Sequence, residues 1–276
     1  MKYIRLLAAA FMFAMLIGVC PAKAESPDVG DIVKRANHMA LYQGETCKGK
    51  IHLQITDSQG RTRVRDLNIL RKNTDKDDGK QMYMSYFKAP ADVRRMVFLV
   101  HKVIQPGKDD SRWLYMPSLD MVKRIAAGDK RTSFAGSDFL YEDISGRSLY
   151  EDAHELIGTK DGCYILKNTP KNPGDVEFSY YIAYVDQNSF IPMKTEYFKS
   201  SNTPYRTMNV IKVERIIADK DGEVILYPTV TCSKVRNNET GSETVMTFSN
   251  ITYNLPVDKS VFGERYLRRP PRELIR

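Results

Sequence analysis

Residues 113–146 read WLYMPSLDMVKRIAAGDKRTSFAGSDFLYEDISG, and the two halves of this stretch follow different rules. Trp113, Leu114, Tyr115 and Met116 are strand formers stopped by Pro117, and residues 121–125 return as a second strand across a short turn at 118–120. Beyond Ala126, three glycines and repeated Ser and Asp break any period. Yet Phe134, Phe139, Leu140, Tyr141 and Ile144 are too apolar for a solvated loop. A segment without periodicity but with apolar anchors packs over something. It reads as a lid over an apolar site, anchored by Phe134, Phe139 and Tyr141.

On either side of this stretch the dominant period is two. Ile51, Leu53 and Ile55 alternate with Lys50, His52 and Gln54. Further strand-like runs cover 67–71, 82–88, 96–104, 148–156, 164–168, 177–185, 192–199, 206–217, 224–235 and 244–253. Turns of hairpin length separate many of them, at 160–162, 186–189, 200–204, 219–222 and 237–241, so the sheet is expected to be largely antiparallel. Ser26 and Pro27 form an N-cap and first-turn pair, after which Val29, Ile32, Val33, Ala36, Met39 and Ala40 recur at helical spacing up to Gly44. A short helix is expected near 258–267. Ten or so long strands in one domain must curl, because a large twisted sheet does not stay flat. The fold class is mainly β with flanking helices, an open or closed barrel.

Several runs are apolar on both faces, notably MYMSYF at 82–87 and FSYYIAYV at 178–185. One face looks into the barrel and the other needs cover. Met82, Met84, Met116, Met193, Met208 and Met246 lie in strands that favour β-branched residues, and flexible thioethers suit a wall that repacks around varied apolar ligands. The expected cavity residues are Met84, Phe87, Leu114, Met116, Tyr180, Ile182, Met193 and Tyr197.

Residues 1–24 carry a basic start (Lys2, Arg5), an apolar stretch at 6–20 and a final Ala-Lys-Ala, the pattern of a cleaved export signal. The apolar stretch is shorter than the roughly 20 residues a spanning helix needs, and Val19 before Cys20 argues against lipid attachment. Export implies an oxidising compartment. Cys47, Cys163 and Cys232 would remain, enough for one disulfide with one thiol left over, and none of the three pairings is favoured. The formal net charge of +8 is scattered without a stripe that would follow a nucleic acid, so no nucleic-acid partner is expected. The boundaries read as a signal at 1–24, a single domain at 25–267 and a basic tail at 268–276, solvated by default.

The motifs of catalysis are missing. No GxSxG elbow, HExxH, Walker loop or Rossmann glycine pattern occurs. His154-Glu155 begins like a zinc-protease motif, but Gly158 stands where the second histidine belongs. Ser137 with Asp138 reads as a helix N-cap. Glu142 and Asp143 are adjacent and do not face each other on a helix. No enzyme, cofactor or metal is expected. Charges such as Lys212, Glu214 and Arg215 interrupt the strands and argue against a transmembrane barrel.

The signal, the amphipathic first helix and the runs WLYMP, VKRI, FAGSDF and YEDISG resemble the LolA-like family of periplasmic outer-membrane lipoprotein-sorting proteins, in its branch associated with transporters of the resistance-nodulation-division (RND/MMPL) type. The resemblance covers the chain after residue 24 and is most specific in 113–146. It implies an unclosed half-barrel lidded by helices, holding lipoprotein acyl chains or a free lipid in the periplasm. The protein would act as a monomer, and an RND-type inner-membrane transporter is the implied partner. It also implies a basic residue at the end of an early strand that ties the lid through backbone carbonyls, for which Arg71 is the match. Related sequences tend to have a glycine after a PADV-like run, whereas this chain has Arg94-Arg95-Met96. The function expected is binding and handover without chemistry; the competing class is a non-catalytic adaptor whose barrel is filled by its own side chains.

Overall fold

A computed structural model describes residues 27–275; the signal read at 1–24 lies outside them. One antiparallel sheet of thirteen strands forms the body. In chain order these are β1 (Thr46–Thr56), β2 (Thr62–Asn73), β3 (Lys80–Ala89), β4 (Val97–Val103), β5 (Ser111–Met116), β6 (Met121–Ile125), β7 (Asp152–Lys160), β8 (Cys163–Pro170), β9 (Tyr180–Asp186), β10 (Pro192–Phe198), β11 (Arg206–Lys220), β12 (Glu223–Asn237) and β13 (Glu243–Tyr253). The order across the sheet is β6-β5-β4-β3-β2-β1-β13-β12-β11-β10-β9-β8-β7. Two meanders are thus joined where β1 pairs with β13, from Cys47 opposite Tyr253 to Thr56 opposite Glu243. The sheet does not close. Its two edges, β6 and β7, are consecutive in the chain, so the connection between them has to return across the sheet.

Alternation explains which face each residue takes. In β1, Ile51, Leu53 and Ile55 are buried while Lys50, His52 and Gln54 point out. His52 meets Asp66 of β2 there. In β3 both faces are buried. Tyr83 and Phe87 join the main core with Ile69, Phe98, Phe134 and Phe139. Met84 joins a second cluster with Leu70, Leu99, Phe262, Leu267 and Leu274. The main cluster holds the 126–146 segment and so marks the concave side; the second is the cover on the convex side.

Helix α1 (Val29–Asn37) starts at Asp28, whose carboxylate accepts from the backbone N–H of Asp31. Ser26, expected as the N-cap, lies outside the described residues. A π-type turn, His38–Tyr42, continues α1, and Gly44 at φ 69° leads into β1. Ser137, expected as an N-cap, caps no helix: its hydroxyl bonds the carbonyls of Phe134 and Phe139 inside a tight turn. The helix α2 (Tyr141–Ser145) starts at Leu140, with the Asp143 carboxylate accepting from its N–H. Residues 149–151 form a 3-10 turn ahead of β7. The helix expected at 258–267 is a pair of 3-10 turns, Lys259–Phe262 and Glu264–Tyr266. The three cysteines are free thiols.

The tail departs most from expectation. It is not a solvated arm: α3 (Arg272–Ile275) buries Leu274 completely against the convex cluster. Asn68 of β2 fixes it by donating to the carbonyls of Leu274 (2.8 Å) and Ile275 (3.1 Å). An arginine-rich sequence hides this because one leucine carries the packing. Leu274→Ala is expected to lower unfolding free energy by about 2–5 kcal/mol, read as a shifted urea midpoint; an unchanged midpoint would show that the tail only rests on the sheet.

Candidate ligand cavity

A cavity of about 320 Å³ lies between the concave face and the chain that follows α1. Met39, Ala40, Leu41 and Gln43 form one wall; Ile51 and Ile69 form the floor; Met193, Met208, Met246 and Phe248 close the far side. A second chamber of about 230 Å³ shares Ala40, Leu41, Asp143, Pro192, Thr195 and Met208 with the first and continues under α1. Both are near the lower end of the size range of small-ligand sites. The sheet opens here because β10 pairs with β11 only from Lys194 to Tyr197. Beyond Asn209 the two strands part, and Val210 joins the lining.

The expected cavity residues divide by strand parity. Met193 lines the first chamber and Tyr197 the second. Phe87, Leu114 and Met116 belong to the main core or pack against it, outside the linings of both chambers. Met84 is on the convex side. In β9, Tyr181 and Ala183 line the second chamber, so Tyr180 and Ile182 alternate onto the opposite face, where Tyr180 stacks on Phe198 at 4.8 Å. Of the lining residues missed, Ile69, Tyr83 and Phe248 carry one signal that was available, counting by twos along the paired strands from Ile51; Leu41, in the turn after α1, carries none. Of the six strand methionines, Met193, Met208 and Met246 reach the cavity.

Phe134, Phe139 and Tyr141 hold the 126–146 segment in the main core, with Tyr141 5.0 Å from Phe98 and 5.5 Å from Phe134. Only Phe139 of these three also lines the cavity. Arg71 does reach backbone carbonyls, but those of Leu41 and Gln43, not those of 126–146. Asn73 donates to the carbonyls of Tyr42 (2.7 Å) and Gly44 (2.9 Å), and Gln81 to that of Leu41 (2.9 Å). A helix end leaves its last carbonyls without partners; here β2 and β3 supply them, clamping the cavity wall.

Charge holds the crossing segment in place. Lys102 donates to the carbonyl of Gly146 (2.6 Å), and Arg206 to the Asp143 carboxylate and the Asp138 carbonyl. Glu142 is buried among Arg131, Lys130 (3.2 Å) and Arg147 (3.1 Å). Burial alone would raise its pKa, but the three cations outweigh it and keep the carboxyl below its usual value. Arg147 also grips Asp152 through two bonds, 2.8 and 2.9 Å. Against burial, the Arg131 guanidinium holds Glu177 at about 2. Among the described residues no group of three His, Cys, Asp or Glu is placed to hold a metal ion. The arrangement offers apolar volume and a braced wall.

The model of a family of uncharacterized proteins matches residues 79–269. No curated protein matches the chain. Among solved structures, a DUF1329 family protein from Desulfovibrio piger is similar at 26% identity and TM-score 0.74, covering 87% of this chain and 98% of that one. An outer membrane lipoprotein-sorting protein domain from Vibrio parahaemolyticus is similar at 20% identity and TM-score 0.73, covering 87% and 97%. A LolA superfamily protein from Nitrosomonas europaea is similar at 16% identity and TM-score 0.62, covering 87% and 100%. The last two show the fold, the unclosed sheet of the LolA type.

Because Glu142 is buried and paired, Glu142→Gln is expected to cost about 3–5 kcal/mol at pH 7. The depressed pKa makes this stabilisation complete above the ordinary carboxyl value of 4.5 and progressively lost as pH falls through the folded value. Guanidinium unfolding of both proteins at pH 7 and pH 3.5 checks it: the gap must narrow in acid.

Proposed function

We propose that this chain, which belongs to the family of uncharacterized proteins whose model matches residues 79–269 and is similar to the DUF1329 family protein of Desulfovibrio piger, is a periplasmic carrier that takes acyl chains of a lipoprotein or a free lipid into its cavity and hands them on without chemistry. The observation that supports this most is the pair of communicating chambers walled by methionines and aliphatic side chains on the open side of a LolA-type sheet. Each CH₂ withdrawn from water contributes roughly 0.8 kcal/mol, so partial burial of one or two chains suffices for capture. The leader at 1–24 would deliver the protein to the periplasm. By the resemblance carried in 113–146, the donor or acceptor is an RND-type inner-membrane transporter.

Release requires a wall that gives way. The crossing segment is the costlier element to move, since its aromatic anchors lie in the core and its charges are paired out of water. The turn at 38–44 buries one ring, that of Tyr42, and is otherwise held by hydrogen bonds to its carbonyls from Arg71, Asn73 and Gln81 and from Gln43 to the carbonyl of Pro228. In the proposed cycle that turn swings away while 126–146 stays seated. π-Type turns recur at functional sites, which agrees with this assignment.

Native mass spectrometry of protein isolated from membrane extracts tests the reading. Wild type is expected to carry lipid, and Met208→Asp, which sets a carboxylate on the wall shared by both chambers, is expected to lose most of it with an unchanged circular dichroism spectrum. Wild type that is empty, and that fails to take up added phospholipid or lipopeptide, would support the adaptor instead.

A further inference from the structure

β11 and β12 pair with each other over nearly their whole length, whereas β10 leaves β11 after Asn209 and β13 meets β12 only from Cys232 to Arg236. Residues 210–231 are therefore a two-stranded ribbon projecting from the sheet. One of its faces is seated: Ile216, Ile225 and Tyr227 pack with Tyr253, whose ring stacks on Tyr227 at 4.4 Å. The other face presents Ile217 (69% exposed), Val224 (74%) and Leu226 (53%). Five successive residues, 211–215, are exposed. Beyond Asn209, the edge of β11 opposite β12 meets no strand among the described residues.

The hairpin geometry says which groups that edge offers. Asp221 and Gly222, both at positive φ, make a two-residue turn between Lys220 and Glu223. In such a hairpin the flanking pair is hydrogen-bonded and pairs alternate from there. Arg215, Ile217 and Asp219 then turn their backbone groups to the free edge. Pro228, opposite Arg215, fits this register because it has no N–H to give. The Asp219 carbonyl accepts from Asn254 (3.1 Å) and keeps a second lone pair.

The sequence along this edge is Glu214-Arg215-Ile216-Ile217-Ala218-Asp219-Lys220. Laid antiparallel against itself about Ile217, it sets Glu214 opposite Lys220, Arg215 opposite Asp219, Ile216 opposite Ala218 and Ile217 opposite itself. Every charge meets its opposite, and each does so twice by symmetry. A two-fold axis normal to the sheet also keeps the exposed apolar faces of both ribbons on one side. We propose that β11 pairs in this register with β11 of a second copy, forming a dimer through a continuous sheet. Edge strands left unpaired invite such addition, and complementary charges fix the register. Lys212 and Lys220 now meet Glu214 (2.9 Å) and Glu45 (3.4 Å) in exposed pairs, which contribute little and exchange readily. A seven-residue edge is a small contact beside a standard interface, so the dimer is concentration-dependent. It differs from the monomer expected from the resemblance. In this register the second copy's turn at Asp221-Gly222 comes to lie beside Lys212 and Val213, next to the cavity-lining Val210.

Sedimentation equilibrium over a concentration series tests the proposal with the protein processed at its signal. Wild type is expected to rise from one chain mass to two. Arg215→Asp and Asp219→Arg, each placing like charges opposite one another, are expected to remain monomeric with unchanged circular dichroism. The double exchange, Arg215→Asp with Asp219→Arg, is expected to restore the dimer, a recovery that no merely structural role predicts. Ile217→Cys, at the axis, should cross-link to its own copy under mild oxidation in a chain with Cys47, Cys163 and Cys232 changed to Ser, while Val224→Cys in the same chain should not. Monomer at every concentration, meaning that the edge charges only keep strands apart, overturns the proposal. So does a dimer indifferent to both charge reversals, or equal cross-linking at the two positions.

Discussion

The connection between β6 and β7 has to cross the open side of the sheet, and most of the molecule is organised around that requirement. The two edge strands, β6 and β7, are not paired with each other, so strand pairing does not close the sheet. It is closed by what lies between. Residues 126–151 bond among themselves through turns, as from the Phe134 N–H to the Phe139 carbonyl and from the Glu142 N–H to the Lys130 carbonyl, and carbonyls left over take partners from the sheet: Lys102 for that of Gly146, Arg206 for that of Asp138, Arg65 for that of Ala135. Aromatic anchors supply the burial and basic side chains of the sheet supply the donors.

Charge is thereby brought into the interior: Asp143 answers Arg206, and the segment's own Arg147 is answered by Glu142 and Asp152. Such pairs rarely stabilise a fold more than well-packed apolar groups would, because desolvation offsets the attraction. Their effect here is to define position. An apolar crossing segment could slide along an apolar concave face; one whose Arg131 must meet Glu177, whose Arg147 must meet Asp152 and whose Asp143 must meet Arg206 has a single seat. That seat leaves apolar space on the α1 side, and there the chambers form.

The strands were legible because their period, turns and lengths agree at every level, and each predicted run is a strand or overlaps one. The crossing segment was legible as an anomaly, apolar without period. The cavity was only partly so. Choosing residues by type put Met84 and Tyr180 on the list, yet both sit on the wrong face by one step of the pleat, and a one-residue error in parity reverses every assignment in a strand. Leu41 could not be found from the strands, since its place depends on how α1 folds back. The tail misled for a related reason: four arginines dominate its composition while Leu274 alone decides its position. The partners of Arg71 also required the fold, because a basic residue at a strand end says nothing about which carbonyls it meets.

That last point bears on how a bound chain would leave. Arg71, Asn73 and Gln81 all aim at carbonyls between Leu41 and Gly44, a stretch that begins inside the π-type turn His38–Tyr42. Hydrogen bonds of this kind contribute about 0.5–3 kcal/mol each, and water can replace them one at a time as the turn lifts. Unseating 126–146 would instead expose Phe134 and Phe139 and strip several buried charges of their partners together. If the two elements compete to open, the difference in what each must expose selects the turn at 38–44. The cavity is then gated from the side where β2 and β3 present polar residues, and the crossing segment serves as the fixed wall against which the gate closes.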